Sequence, residues 1–118
     1  MVTPVQGDVY WVRFGHPGDS GPAGKRPAVV IQNDLLNRSH IRTTVVVLLT
    51  SNLKLSAIPG NVPLKKGAGN LPKSSVVVVS QLATVDKGRL VEKIGTLNRE
   101  VTEAIIRGCM EVISRFEA

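Results

Sequence analysis

Two side chains in this sequence have types and spacing suited to chemistry at a phosphate. Arg26 opens the string KRPAVVIQND, and Thr50 closes the string VVVLLTSN. A guanidinium fork grips a phosphate through two parallel hydrogen bonds. A threonine hydroxyl gives or accepts one more. If the two strings are neighbouring strands, both side chains meet at one end of a sheet. Each residue also has a plainer reading, Arg26 as a solvated strand-edge cation and Thr50 as a turn residue.

Other constellations are weaker. His16 and His40 form a possible acid–base pair, because an unperturbed imidazole titrates near neutrality. Both fall in expected loops, where solvated histidines are common. Asp34, Asp86 and Glu92 do not cluster by spacing, whereas a magnesium nuclease needs grouped carboxylates. The single cysteine, Cys109, cannot form an internal disulfide and is too few for a zinc site. No P-loop, HExxH, CxxC, GxSxG or GxGxxG string is present. No metal or other cofactor is therefore expected.

Short strands and one helix must position these groups. Asp8–Phe14, Arg26–Gln32, Thr43–Thr50, Asn61–Lys65, Ser75–Gln81 and Leu90–Leu97 carry β-branched and aromatic residues between Gly/Pro-rich breaks. The unbroken apolar run of Thr43–Thr50 predicts a strand buried on both faces. Pro27 cannot donate to a ladder and belongs at a strand start or an edge. Asn33–Asn37 reads as a short helical turn, and Gly15–Lys25 and Lys66–Lys73 read as loops. The first of these is long enough to suggest function. From Arg99 to Phe116 the apolar residues recur at helical spacing, with Asn98 as N-cap and Glu100 in the first turn. Strands followed by one amphipathic helix predict a mainly β fold, a small barrel or strongly curved sheet with the helix over one opening.

The bulk properties narrow the class. A length of 118 residues fits one domain, residues 1–118, with enough core to fold without staples. The apolar stretches Val45–Leu49 and Val76–Val79 are too short to span a bilayer, and the first residues lack signal-peptide character. A soluble cytoplasmic protein is expected. The net charge of +6 favours polyanionic partners, although it also serves simple solubility. Only 3% of residues are aromatic, which argues against a stacking-platform domain of the RRM or OB type.

The strings GDVYWVRF, KRPAVVIQNDLLN, TTVVVLLTSN, SSVVVVSQLATVDKGRL and IGTL together resemble the PemK/MazF family of toxin endoribonucleases. The resemblance runs from about Gly7 into the C-terminal helix. It implies an SH3-like barrel with a C-terminal helix, acting as a homodimer. It also implies metal-independent cleavage of single-stranded RNA at short motifs, the 2′-hydroxyl attacking the adjacent phosphorus to leave a 2′,3′-cyclic phosphate and a 5′-hydroxyl. By this resemblance Arg26 and Thr50 are catalytic, and a MazE-like antitoxin lays an extended segment across the RNA groove.

The chemistry limits those roles. Arg26 does not serve easily as a base, since guanidinium holds its proton above pH ~12. It suits charge stabilisation at the phosphorane and proton donation to the leaving oxygen. Thr50 would polarise the 2′-hydroxyl or a phosphate oxygen. The base is unassigned, and His16, in the loop preceding Arg26, is the alternative. Many family members carry Gly-Ser-Glu in this loop. Ser20 keeps the serine, whereas Gly21 stands in place of the Glu, with Asp19 nearby. Ser20, Lys25, Asn33, Ser51, Lys73 and Gln81 are the expected RNA-binding residues. Asn33 and Gln81 can pair with base edges or serve as a turn former and a strand-edge amide. Lys25, Lys65, Lys66 and Lys73 can track phosphates or simply be solvated. Thr84, Asp86 and Arg89 read as structural, with Asp86 capping a turn.

Two other readings compete. A CcdB-like toxin on the same barrel would bind and poison DNA gyrase without cutting anything. An inert SH3-like adaptor would need an aromatic-lined groove, which four aromatics hardly supply. Neither the RNA motif, the target class nor the particular antitoxin is written in the sequence.

Overall fold

A computed structural model describes residues 2–15 and 24–115. Six strands form one antiparallel sheet: β1 (Asp8–Arg13), β2 (Lys25–Val30), β3 (Thr43–Thr50), β4 (Val62–Leu64), β5 (Ser75–Asp86) and β6 (Leu90–Thr96). Their order across the sheet is β4-β5-β3-β2-β1-β6. Helix α1 (Asp34–Arg38) joins β2 to β3, and α2 (Arg99–Ile113) follows β6.

Strand alternation sends side chains to two cores. Val9, Val29, Val47, Leu49, Val77 and Val79 pack with Ile105 and Cys109 of α2. Tyr10, Val12, Ala28, Val30, Val46 and Val85 form a second cluster on the opposite face. The central strand β3 thus serves both cores, as its apolar run predicts. Helix α2 starts where Asn98 accepts from the Val101 N–H at 2.8 Å. It packs so closely on the loop before β4 that a Cβ at Gly108 would lie 2.5 Å from the Gly60 carbonyl oxygen.

Strand β5 exceeds the expected Ser75–Gln81 and runs on to Asp86. Its register against β3 shifts between Val47 and Leu49, where Leu82 pairs with Val47 but Val77 with Leu49. Ser80 and Gln81 stand exposed at this bulge. The strand then resumes pairing beyond it. Among the described residues α2 ends at Ile113, before Ser114 and Arg115, and Phe116, the last residue of the expected helix, lies outside the described residues.

The barrel is a curled sheet. Among the described residues no ladder joins β6 to β4. The 3-10 turn Ala68–Asn70 fills that seam, where the Asn70 side-chain amide donates to the Ile94 carbonyl at 3.0 Å. Gly69 takes a left-handed conformation with φ 55°, and a Cβ at Gly95 would lie 2.2 Å from the Gly69 oxygen. Backbone on both sides leaves nothing flexible to yield. Gly95→Ala is therefore expected to lower Tm by roughly 5–15 °C, the scale of an overpacking cost. Thermal unfolding followed by circular dichroism reads this directly, and an unchanged Tm would mean the turn does not seal the seam.

A polar cluster anchors α1. Asn33 caps it by accepting from the Leu36 N–H. Buried Asn37 receives bonds from Gln32 and Thr44. The ammonium of Lys87, 5% exposed, donates to the carbonyls of Asn37 and Ser39 at 2.8 and 3.4 Å. A cation suits the carbonyl-rich end of a helix.

Candidate functional site

The register of β2 and β3 brings Arg26 and Thr50 together. Ala28 pairs with Leu48, Val29 with Val47 and Val30 with Val46. Continued by two residues, that register sets Arg26 opposite Thr50. Both line one cleft of about 270 Å³ with Trp11, Ser51, Lys73 and Ser75, walled further by Pro27 and Leu49. Four separate parts of the chain thus converge at this end of the sheet. Arg26 is held by one bond, from Nη2 to the Leu49 carbonyl at 3.3 Å. Thr50 Oγ1 accepts from the Asn52 N–H at 3.2 Å, which turns the chain away after β3. The Ser75 hydroxyl donates to the Lys73 carbonyl at 3.1 Å and ties down the segment that carries the Lys73 side chain.

The cleft joins two cations and three hydroxyls to an apolar wall of Trp11, Pro27 and Leu49. Cations and hydroxyls suit a phosphate, and an indole face suits a base. A phosphate fills the space of only a few waters, each about 30 Å³, so the cleft has room for more than the phosphate alone. A second recess of about 210 Å³ adjoins it through Ser75, floored by Leu64 and Val76 and rimmed by Lys65.

The other expected site residues lie elsewhere. Lys25 pairs with Arg13 at the start of β2 and does not line the cleft. Asn33 spends its side-chain oxygen on the α1 cap. Gln81 sits at the β5 bulge, exposed and away from the cleft lining. His40 is exposed beyond α1. His16, Ser20, Asp19 and Gly21 lie outside the described residues. Lys66 donates its backbone N–H to Ser74. Arg89 ties the Gly15 carbonyl at the end of the first strand, and Asp86 caps the Gly88 N–H at 2.7 Å.

Trp11 and Ser75 were missed as site residues. The signal for Trp11 was present: it is the one tryptophan, at an odd position of β1, and pairs across the ladder with Pro27. The carboxylate of Asp8, 2% exposed, accepts from the Val5 N–H and the Thr96 hydroxyl and faces the Lys93 ammonium at 3.4 Å. It is engaged in structure. Burial pushes the Cys109 thiol up to about 11, so it stays protonated and is no nucleophile at neutral pH. Among the described residues no three His, Cys, Asp or Glu side chains gather as a metal site, and no helix is long and apolar enough to cross a membrane.

A curled six-stranded sheet with a C-terminal helix and a basic, hydroxyl-lined cleft defines a class of small toxin domains. The model for PemK-like, MazF-like toxins of type II toxin–antitoxin systems matches residues 5–113, and the chain belongs to that family. It is 37% identical over 106 residues to endoribonuclease MazF6 of Mycobacterium tuberculosis, covering 90% of this chain and 93% of the relative. It is 36% identical over 104 residues to endoribonuclease MazF of Staphylococcus saprophyticus, covering 85% and 86%. Among solved structures, an endoribonuclease from a mycobacterial species shares the fold with a TM-score of 0.76 at 20% identity, over 96% of this chain and 93% of that one. Another, in complex with its cognate antitoxin, has a TM-score of 0.73 at 21% identity, over 96% and 95%.

Proposed function

We propose that this protein is a toxin endoribonuclease that cuts single-stranded RNA by attack of a 2′-hydroxyl on the adjacent phosphorus, without a metal. One observation carries the reading: Arg26 and Thr50, opposite one another by register, face a single cleft. Family membership and the endoribonuclease relatives support it. Arg26 stabilises the charge that builds on the phosphorane and donates a proton toward the leaving oxygen. Thr50, helped by Ser51, orients the 2′-hydroxyl or a phosphate oxygen. Lys73 takes a neighbouring phosphate, and Trp11 stacks against a base. Lys25, Ser20, Asn33 and Gln81 contact the RNA further from the scissile bond. The identity of the base is left to His16 or to solvent.

As one toxin domain over residues 1–118, it works as a homodimer in the cytoplasm and is silenced by a MazE-like antitoxin segment laid over the cleft. A solved relative held by its cognate antitoxin supports that last step. The test is incubation of the purified protein with a long RNA in EDTA. Fragments ending in a 2′,3′-cyclic phosphate and a 5′-hydroxyl are expected, and sequencing their 5′ ends gives the motif. Ends bearing 3′-hydroxyl and 5′-phosphate, or no fragments at all, would overturn the reading.

A further inference from the structure

Pro27 stands where the sheet would otherwise place a backbone donor. The β2–β3 register, continued one step past Ala28 and Leu48, sets Pro27 opposite Leu49. The hydrogen-bonding phase is fixed at the other end, where the Ile31 N–H donates to the Val45 carbonyl at 2.9 Å. Odd-numbered residues of β2 therefore point their N–H groups at β3. A donor at position 27 would meet the Leu49 carbonyl. Proline has no N–H, the ladder stops at Ala28, and the Arg26 guanidinium takes the Leu49 carbonyl instead, at 3.3 Å.

The cleft lining carries the same signature. Pro27 and Leu49 leave their strands on the face of Val29 and Val47, in the core beside α2. By alternation Arg26 and Thr50 leave on the face of Ala28 and Val46. All four nevertheless line one cleft. Residues of both faces meet in one recess here at the end of the sheet, past the last β2–β3 ladder pair, Ala28–Leu48.

We propose that Pro27 is a positioning residue for Arg26: by withholding a backbone donor it leaves the Leu49 carbonyl to the guanidinium at the cleft. One of the five guanidinium N–H groups fixes the fork, and the others are left for phosphate. A backbone N–H supplied at position 27 would compete with the guanidinium for the ladder-facing side of that carbonyl, and it has the advantage because the ladder orders nothing new while the arginine must freeze a long side chain. The inference rests on the role given to Arg26 above.

The experiment uses the full chain and the variants Pro27→Ala, Pro27→Val, Arg26→Ala and Arg26→Ala/Pro27→Ala. Both Pro27 variants restore the donor, and valine also keeps the bulk. Each is expected to lower kcat about 10- to 100-fold, the cost of a displaced reacting group, with KM changed by less than about threefold. The new amide at position 27 should be protected against hydrogen exchange by NMR. Guanidinium chloride at tens of millimolar, against sodium chloride of equal ionic strength, should partly restore Arg26→Ala but not the double variant. Several results would overturn the proposal: wild-type kcat in either Pro27 variant, a freely exchanging amide 27, or equal rescue with and without Pro27. Wild-type protein that cuts no RNA would instead sink the ribonuclease reading. The exchange of amide 27 then still decides whether that carbonyl is contested.

Discussion

Arg26→Ala is expected to lower the rate of RNA cleavage by two to three orders of magnitude, roughly the loss of one preorganised donor at a developing oxyanion. The charge on the phosphorane grows only in the transition state, so kcat should fall far more than KM rises. The fold should survive. Among the described residues the Arg26 side chain makes one hydrogen bond to the protein, of 3.3 Å to a carbonyl at the sheet's end, and a bond from a charged donor contributes at most about 1.5–3 kcal/mol net. Arg26→Lys keeps the charge but not the planar fork, and should recover only part of the rate. Thr50→Ala should cost a comparable or smaller factor, since a neutral hydrogen bond is weaker than a charged one. Single-turnover cleavage of a mapped RNA reads all three. If Arg26→Ala cuts at the wild-type rate while His16→Ala is dead, and both are folded by circular dichroism, the chemistry belongs to histidine.

A single 2′-deoxy nucleotide placed just 5′ of the scissile phosphate should abolish cleavage at that bond and leave other sites in the same RNA cut normally. The attacking oxygen is then missing, and no protein group can replace it. Binding should persist, because one lost hydroxyl removes at most one or two hydrogen bonds, about a tenfold change in affinity. Competition of this RNA against the cleavable one separates the two effects. Continued cleavage of the deoxy bond would mean that water attacks.

Much of the fold follows from local pattern. Thr43–Thr50 carries the unbroken apolar run Val45–Leu49 and lies between two cores, and the asparagine before Arg99 caps α2 as its type requires. Arg26 and Thr50 were legible as a pair because each ends an apolar string and antiparallel neighbours bring such ends together. What was hidden depends on partners distant in sequence. The last five residues of β5, Leu82–Asp86, look too mixed for a strand and are held by β3 across the bulge. Lys87 reads as a surface lysine, yet its ammonium is buried among carbonyls some fifty residues back in the chain. The part Pro27 plays needs the register with Leu49, which no local string displays. Asn33 and Gln81 are both amides at or near strand ends, yet one caps α1 and the other sits exposed at the β5 bulge outside the cleft lining, a difference that no local string displays.

The two strands at the ends of the sequence order, β1 and β6, are neighbours in the sheet, with Trp11 paired to Glu92. The cleft draws on Trp11, Arg26, Thr50 and Lys73, so most of the polypeptide must be made before its walls can meet. Such long-range pairing forms late and slowly. During synthesis, a chain still lacking residues 90–96 has β1 supported on one side only. The cleft is therefore a product of the nearly finished chain, and any activity it supports is withheld from the partial chains that precede it.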